Sequence, residues 1–120
     1  MAHILVVEDD DAVRSFVERA LEMDGHTVTT ADDGGLGLET LQAHGAFDLL
    51  LSDIQMPVMD GIALALKASE LQPDMPILMM TGYAEQRERA GNLSRVIVDV
   101  VSKPFTLKTI RAAVSDALKG

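Results

Sequence analysis

The sequence predicts an α/β fold, a doubly wound parallel sheet covered by helices on both faces. Short runs such as Ile4-Leu5-Val6-Val7 are apolar on both faces, as strands sandwiched between helices must be. Such runs alternate with longer segments of helical spacing, which is the signature of successive βα units. The chain has 120 residues, 48% of them hydrophobic, enough for one domain with its own core.

The first strand, Ile4 to Val7, is stopped by Glu8-Asp9-Asp10-Asp11. Val13, Phe16, Val17, Ala20 and Leu21 then recur at helical spacing, with one of the aspartates as cap and Gly25 beyond the end. A weaker strand follows from Thr27 to Ala31. The next helix contains Leu38 and Leu41, and Gly34, Gly35 and Gly37 loosen its first turns. The third strand runs from Phe47 to Ser52 and closes on Asp53. Met59 to Leu71 reads as a helix stopped by Pro73, and Pro76 to Met80 as the fourth strand. Ala84 to about Gly91 is a short polar helix. Val96 to Val101 is the fifth strand, ending at Ser102-Lys103-Pro104. Leu107, Ile110, Val114 and Leu118 share one face of a last helix capped by Thr106. Five βα units in one domain, residues 1–120, suit the flavodoxin-like strand order 2-1-3-4-5.

Charge narrows the function. Nineteen acids against ten bases give a net charge of −9 and a pI near 4.5. Nucleic-acid binding needs a basic footprint, and aromatic content of 3% with no tryptophan offers no base-stacking platform. No nucleic acid is therefore expected as a partner. The absence of cysteine removes disulfides, thiolate zinc sites and a cysteine nucleophile. No apolar run approaches the ~20 residues of a membrane span, and no signal peptide is visible. The expectation is a cytoplasmic protein with no membrane partner.

In a doubly wound sheet, ligands bind beyond the carboxyl ends of the strands, where strand order reverses. Here that is the junction of strands 1 and 3. Strand 1 ends in Glu8 and Asp9, strand 3 in Asp53, strand 4 in Thr81 and strand 5 in Lys103. Three converging carboxylates need a compensating cation. Oxygen donors without nearby His or Cys select Mg²⁺, Mn²⁺ or Ca²⁺. A lysine ammonium and a threonine hydroxyl suit phosphoryl oxygens, which leaves Asp53 as a carboxylate that accepts a phosphoryl group. Taken singly, each motif has a plainer reading: an acidic run caps a helix, Thr81 caps a turn, Lys103 sits on the surface. Four motifs in order at strand ends outweigh those readings. His3, His26 and His44 have no partner at metal-ligand spacing and are incidental, and Asp99 serves structure or solubility.

The residues Glu8-Asp9, Asp53-Ile54-Gln55-Met56-Pro57-Val58-Met59-Asp60-Gly61, Thr81-Gly82 and Lys103-Pro104 resemble the receiver domains of two-component response regulators over the whole chain. The resemblance implies Asp53 as phosphoacceptor and Asp9 with Asp53 as ligands of Mg²⁺, with Mn²⁺ as the alternative ion. It further implies Glu8 acting through water, the backbone carbonyl of Gln55 as a ligand, Thr81 as switch hydroxyl and Lys103 as the phosphate-contacting base. The Lys103–Pro104 bond is expected to be cis. A histidine kinase or histidine phosphotransferase is the implied donor, and a downstream protein the implied target. The chain is then no enzyme beyond its own phosphorylation and dephosphorylation.

Two departures stand out. Glu8 occupies a position where aspartate is common. The usual aromatic switch position, three before the lysine, is Val100; resemblance to a subset of receivers implies Tyr83, two after Thr81, as its replacement, the plainer reading being a surface or half-buried tyrosine. Met59-Asp60-Gly61-Ile62, Ala68-Ser69-Glu70-Leu71 and Thr81-Gly82-Tyr83-Ala84 are similar to CpdR-like single-domain receivers, which control substrate delivery to a ClpXP-type protease; a protease or its adaptor is the implied target. Met1 just before the first strand and Gly120 just after the last helix suit a stand-alone protein. They suit equally a receiver excised from a hybrid histidine kinase or a longer regulator. The rival of another class is a Mg²⁺-dependent phosphatase with an aspartate nucleophile. It wants an acid two residues past the nucleophile, where this chain has Gln55, and a cap domain. An FMN-binding flavodoxin wants a Ser/Thr/Gly loop where this chain has four acids.

Overall fold

A computed structural model describes residues 1–91, 93 and 95–119; Gly120, the end expected just after the last helix, lies outside the described residues. Five strands, β1 (His3–Val7), β2 (Thr27–Ala31), β3 (Leu49–Asp53), β4 (Ile77–Thr81) and β5 (Asp99–Ser102), alternate with helices α1 (Asp11–Met23), α2 (Gly34–His44), α3 (Gly61–Leu71), α4 (Ala84–Gly91) and α5 (Leu107–Lys119). All strand pairs are parallel, and the sheet order is β2-β1-β3-β4-β5, as expected.

The period of two along each strand divides the core into two layers. Leu5, Val7, Leu50, Ile77 and Met79 face one side with Leu41, Leu64 and Ala68. Ile4, Val6, Leu49, Leu51, Leu78 and Met80 face the other with Val17, Leu21, Ile110 and Val114. Strands β1, β3 and β4 therefore read as continuous apolar runs, each fully buried leucine contributing about 1.5–3 kcal/mol.

Helix starts follow local chemistry. Asp10 accepts from the Ala12 and Val13 amides, Asp33 from Leu36, Asp60 from Ala63, and Thr106 Oγ1 from Thr109, each satisfying amides that the helix cannot. Helix α3 begins at Gly61 rather than Met59. The Met59 amide bonds to the Pro57 carbonyl at 2.8 Å across Val58, whose φ is 71°. This γ-turn breaks the helical run, and Asp60 then caps the helix. Strand β3 starts at Leu49 rather than Phe47, because the Phe47 amide bonds to the Gln72 side chain instead of the ladder. Strand β4 ends one residue later, on Thr81. Strand β5 starts at Asp99 rather than Val96. The Val96 and Ile97 amides both fold back onto the Leu93 carbonyl, so the apolar run begins as a turn that buries Ile97.

The glycines of α2 are better explained by contact than by looseness. A Cβ on Gly34 would sit 1.9 Å from the Met59 carbonyl oxygen. Likewise a Cβ on Gly61 would sit 2.0 Å from the Asp53 carbonyl oxygen. Both glycines let the β3–α3 loop close against its neighbours and so fix the backbone that follows Asp53.

Val58 holds a positive φ of 71° and is 84% exposed. A β-branched residue is strained there, and burial returns nothing for it. Glycine adopts this positive φ without a Cβ penalty, so Val58→Gly is expected to stabilise the fold by about 1 kcal/mol, the relieved strain outweighing the added freedom of the unfolded chain. A melting temperature equal to or below that of the wild type would remove the strain from the explanation.

Candidate functional site

The strand ends deliver four of the expected side chains, Glu8, Asp9, Asp53 and Lys103, to one cleft. Asp53 ends β3, Glu8 and Asp9 follow β1, and Lys103 follows β5. Glu8 is fully buried, Asp53 is 7% exposed, and Asp9 is exposed. Oxygens of the three carboxylates lie within 4.8 Å of one another. Lys103 Nζ donates to Glu8 Oε1 at 2.6 Å and lies 3.2 Å from Asp53 Oδ1. The Lys103–Pro104 peptide is cis, as expected. Gln55, Met56, Pro57, Gly82, Tyr83 and Pro104 are among the other residues that line this cleft of about 1070 Å³.

Three carboxylates face one ammonium, and the titration of the group reflects that imbalance. Burial pushes the Asp53 carboxyl up and the Asp9 charge adds to it, while Lys103 offsets only part. Burial likewise raises Glu8, assisted by the Asp53 charge and opposed by Lys103 and the Asp10 amide. Burial works against the Lys103 ammonium, but the Glu8 hydrogen bond and the Asp53 charge outweigh it, so Lys103 is held above its ordinary range. An all-oxygen donor set with excess negative charge fits a hard divalent cation such as Mg²⁺. Asp9 has its carboxylate exposed toward it. Glu8 is more committed: its Oε1 takes Lys103, and its Oε2 takes the Asp10 amide at 3.0 Å.

Thr81 ends β4 one pairing row beyond Asp53, whose partner is Met80, and it does not line the cleft. Its hydroxyl accepts the Tyr83 amide at 3.1 Å. Tyr83 itself is 57% exposed. Val100 is half-buried against the core, and its carbonyl takes a hydrogen bond from Arg87 of α4 at 2.9 Å. Sequence reasoning missed Arg14. Its guanidinium donates to the Glu8 carbonyl at 2.9 Å and pairs with Asp11. On the polar face of α1 it looks like any solvated arginine, and only the turn after β1 brings the Glu8 backbone to it.

Comparison with known proteins identifies the family. Residues 4–115 match the family described as the response regulator receiver domain. The chain is 43% identical over 110 residues to the response regulator receiver protein CpdR of Brucella abortus, covering 92% of this chain and 91% of that protein. It is 36% identical over 115 residues to the DNA-binding transcriptional regulator NtrC of Escherichia coli K12, but spans only 24% of NtrC. A solved CheY-like receiver domain protein from Methanospirillum hungatei superposes with a TM-score of 0.90 at 31% identity, with 99% and 94% of the two chains covered. No helix among the described residues is long and apolar enough to cross a membrane. Sequence, fold and cleft thus agree that this chain belongs to the response regulator receiver domain family of two-component signalling.

Proposed function

We propose that the chain is a phosphorylation-controlled switch that takes a phosphoryl group onto Asp53 and answers by changing a protein-binding face. The observation that carries this reading is the convergence of Glu8, Asp9, Asp53 and Lys103 where strand order reverses. The donor is a histidine kinase or histidine phosphotransferase. An Asp53 carboxylate oxygen attacks phosphorus, the P–N bond to the donor imidazole breaks, and an acyl phosphate forms. A Mg²⁺ ion held by Asp9, Asp53 and the Gln55 carbonyl, with Glu8 acting through water, would supply charge neutralisation for the phosphoryl oxygens; Mn²⁺ is the alternative ion. Lys103 already sits against Asp53 and pairs with the added charge. Water later attacks the acyl phosphate and returns Asp53 and inorganic phosphate.

Acetyl phosphate with Mg²⁺ is expected to add one acid-stable, base-labile phosphoryl group, and EDTA to prevent it. Continued labelling in EDTA, or several labelled sites, would overturn the reading.

A phosphoryl group brings nearly two negative charges and three acceptor oxygens. Thr81 turns its hydroxyl to donate to one of them, which takes the proton from the Tyr83 carbonyl it faces at 3.5 Å, and its swing toward Asp53 gives up the Tyr83 amide it now accepts. That hydrogen bond ties the switch hydroxyl to the only tyrosine of the chain. Tyr83 is then free to repack, since Val100 is too short to fill the vacated space. The bias needed is about 3–5 kcal/mol, which one charge-assisted hydrogen bond and one ion pair supply. The responding face comprises Tyr83, α4, β5 and α5. The resemblance to CpdR-like receivers makes a ClpXP-type protease or its adaptor the target of this face. With beryllofluoride as phosphoryl mimic, the Tyr83 ring resonances are expected to shift from exposed to packed. An unmoved ring, with normal partner binding by Tyr83→Ala, would assign the switch to Thr81 and the loop backbone.

A further inference from the structure

We infer that Arg14 is a positioning residue for the cation site, holding the Glu8–Asp9 turn so that the Asp9 carboxylate meets those of Glu8 and Asp53. The inference rests on the reading of this cluster as a Mg²⁺ site. Asp9 is exposed, and no side-chain hydrogen bond holds its carboxylate among the described residues. Its place is therefore set by its backbone. That backbone is fixed on both sides of Glu8: the Glu8 amide bonds to the Ala31 carbonyl at 3.1 Å, and Arg14 Nη1 bonds to the Glu8 carbonyl at 2.9 Å. The Arg14 side chain is only 20% exposed. It runs from the second turn of α1 to the end of β1, with Thr30, Ala31, Asp32, Leu36 and Thr40 around a small neighbouring cavity. The guanidinium can serve the Glu8 carbonyl and Asp11 together because its donors form a rigid fork. Residues that orient metal ligands in this way commonly change metal affinity by about ten-fold or more when removed.

The sign of the effect separates positioning from charge. By Coulomb's law alone, removing a positive charge beside an acidic cluster strengthens cation binding. Positioning demands the opposite. Mg²⁺ titrations followed by amide shifts at residues 8–10, 53–55 and 103 give the affinity without reference to phosphorylation. Arg14→Met keeps the apolar stem and removes the donors. It is expected to weaken Mg²⁺ binding about ten-fold. Arg14→Lys keeps the charge and one donor site and should lie between Arg14→Met and wild type. It also provides a folded variant if Arg14→Met proves unstable. Binding equal to or tighter than wild type in either variant overturns the inference. Absence of those shifts in the wild type itself overturns the cation reading as well, so the two failures are distinguishable.

Discussion

Asp53→Asn is expected to abolish phosphoryl acceptance and, in a chelator, to raise the stability of the fold. Both effects come from the same carboxylate. Asp53 is 7% exposed and sits with Asp9 and Glu8 around a single ammonium. Burial raises its pKa and Lys103 offsets only part of that, so the ionised form costs free energy in the folded state. The amide keeps the shape and removes the charge, with an expected gain of about 1 kcal/mol, or a few degrees in melting temperature. The trade is a familiar one, with stability held down by a group that the proposed function requires. The pH dependence follows from the direction of the shift. Asp53 and Glu8 have folded pKa values above their ordinary 3.8 and 4.5. Their favourable contribution is fully present below those ordinary values and is lost as pH rises through the raised ones. Asp24, held low by its hydrogen bond to Arg111, acts in the opposite sense and is common to both proteins. The wild type, measured in EDTA, should therefore lose stability relative to Asp53→Asn as pH rises through that window. A difference independent of pH would show that Asp53 carries no such cost, and labelling retained in the variant would move the phosphoacceptor elsewhere.

Lys103→Met should act with the opposite sign. It leaves a fully buried Glu8 and a nearly buried Asp53 with no ammonium between them. Removing one partner of a buried ion pair costs about 3 kcal/mol. The loss should shrink at low pH, where the carboxyls protonate. It should also shrink in the Lys103→Met/Glu8→Gln double variant, so that the two substitutions cost less together than their sum. Acceptance of phosphate from acetyl phosphate should slow by about ten-fold, the value of one charge-assisted hydrogen bond. Additive destabilisation, or a Lys103→Met protein as stable as wild type at neutral pH, would mean that the lysine is not what offsets the buried acids.

The fold was legible because strands covered on both faces leave an unmistakable apolar run, as in Ile4–Val7 and Leu49–Leu51, and because the aspartates after the first strand and Thr106 announce helix starts by their capping chemistry. Boundaries were less legible where an apolar run serves two structures in turn. Val96 and Ile97 are apolar because a turn buries them against the core, while the ladder starts only at Asp99. Met59 has helical spacing, yet the γ-turn at Val58 excludes it from α3. Within the site, strand-end logic located Glu8, Asp9, Asp53 and Lys103, since parallel strands must bring their carboxyl ends to one edge. It could not show that both Glu8 oxygens are already engaged, nor that the Thr81 hydroxyl holds the Tyr83 amide. Those depend on side-chain reach. Arg14 left no signal, because its partner is a backbone carbonyl, which every residue possesses.

On the proposed function, one carboxylate, Asp53, takes the phosphoryl group. Borohydride reduces an acyl phosphate and marks the residue that carried it. After treatment with acetyl phosphate and Mg²⁺, borohydride reduction and peptide mass mapping should find one reduced side chain, at Asp53, and none in a sample prepared with EDTA. Reduction at Asp9, Asp10, Asp11 or Asp60 with Asp53 unmarked would contradict it.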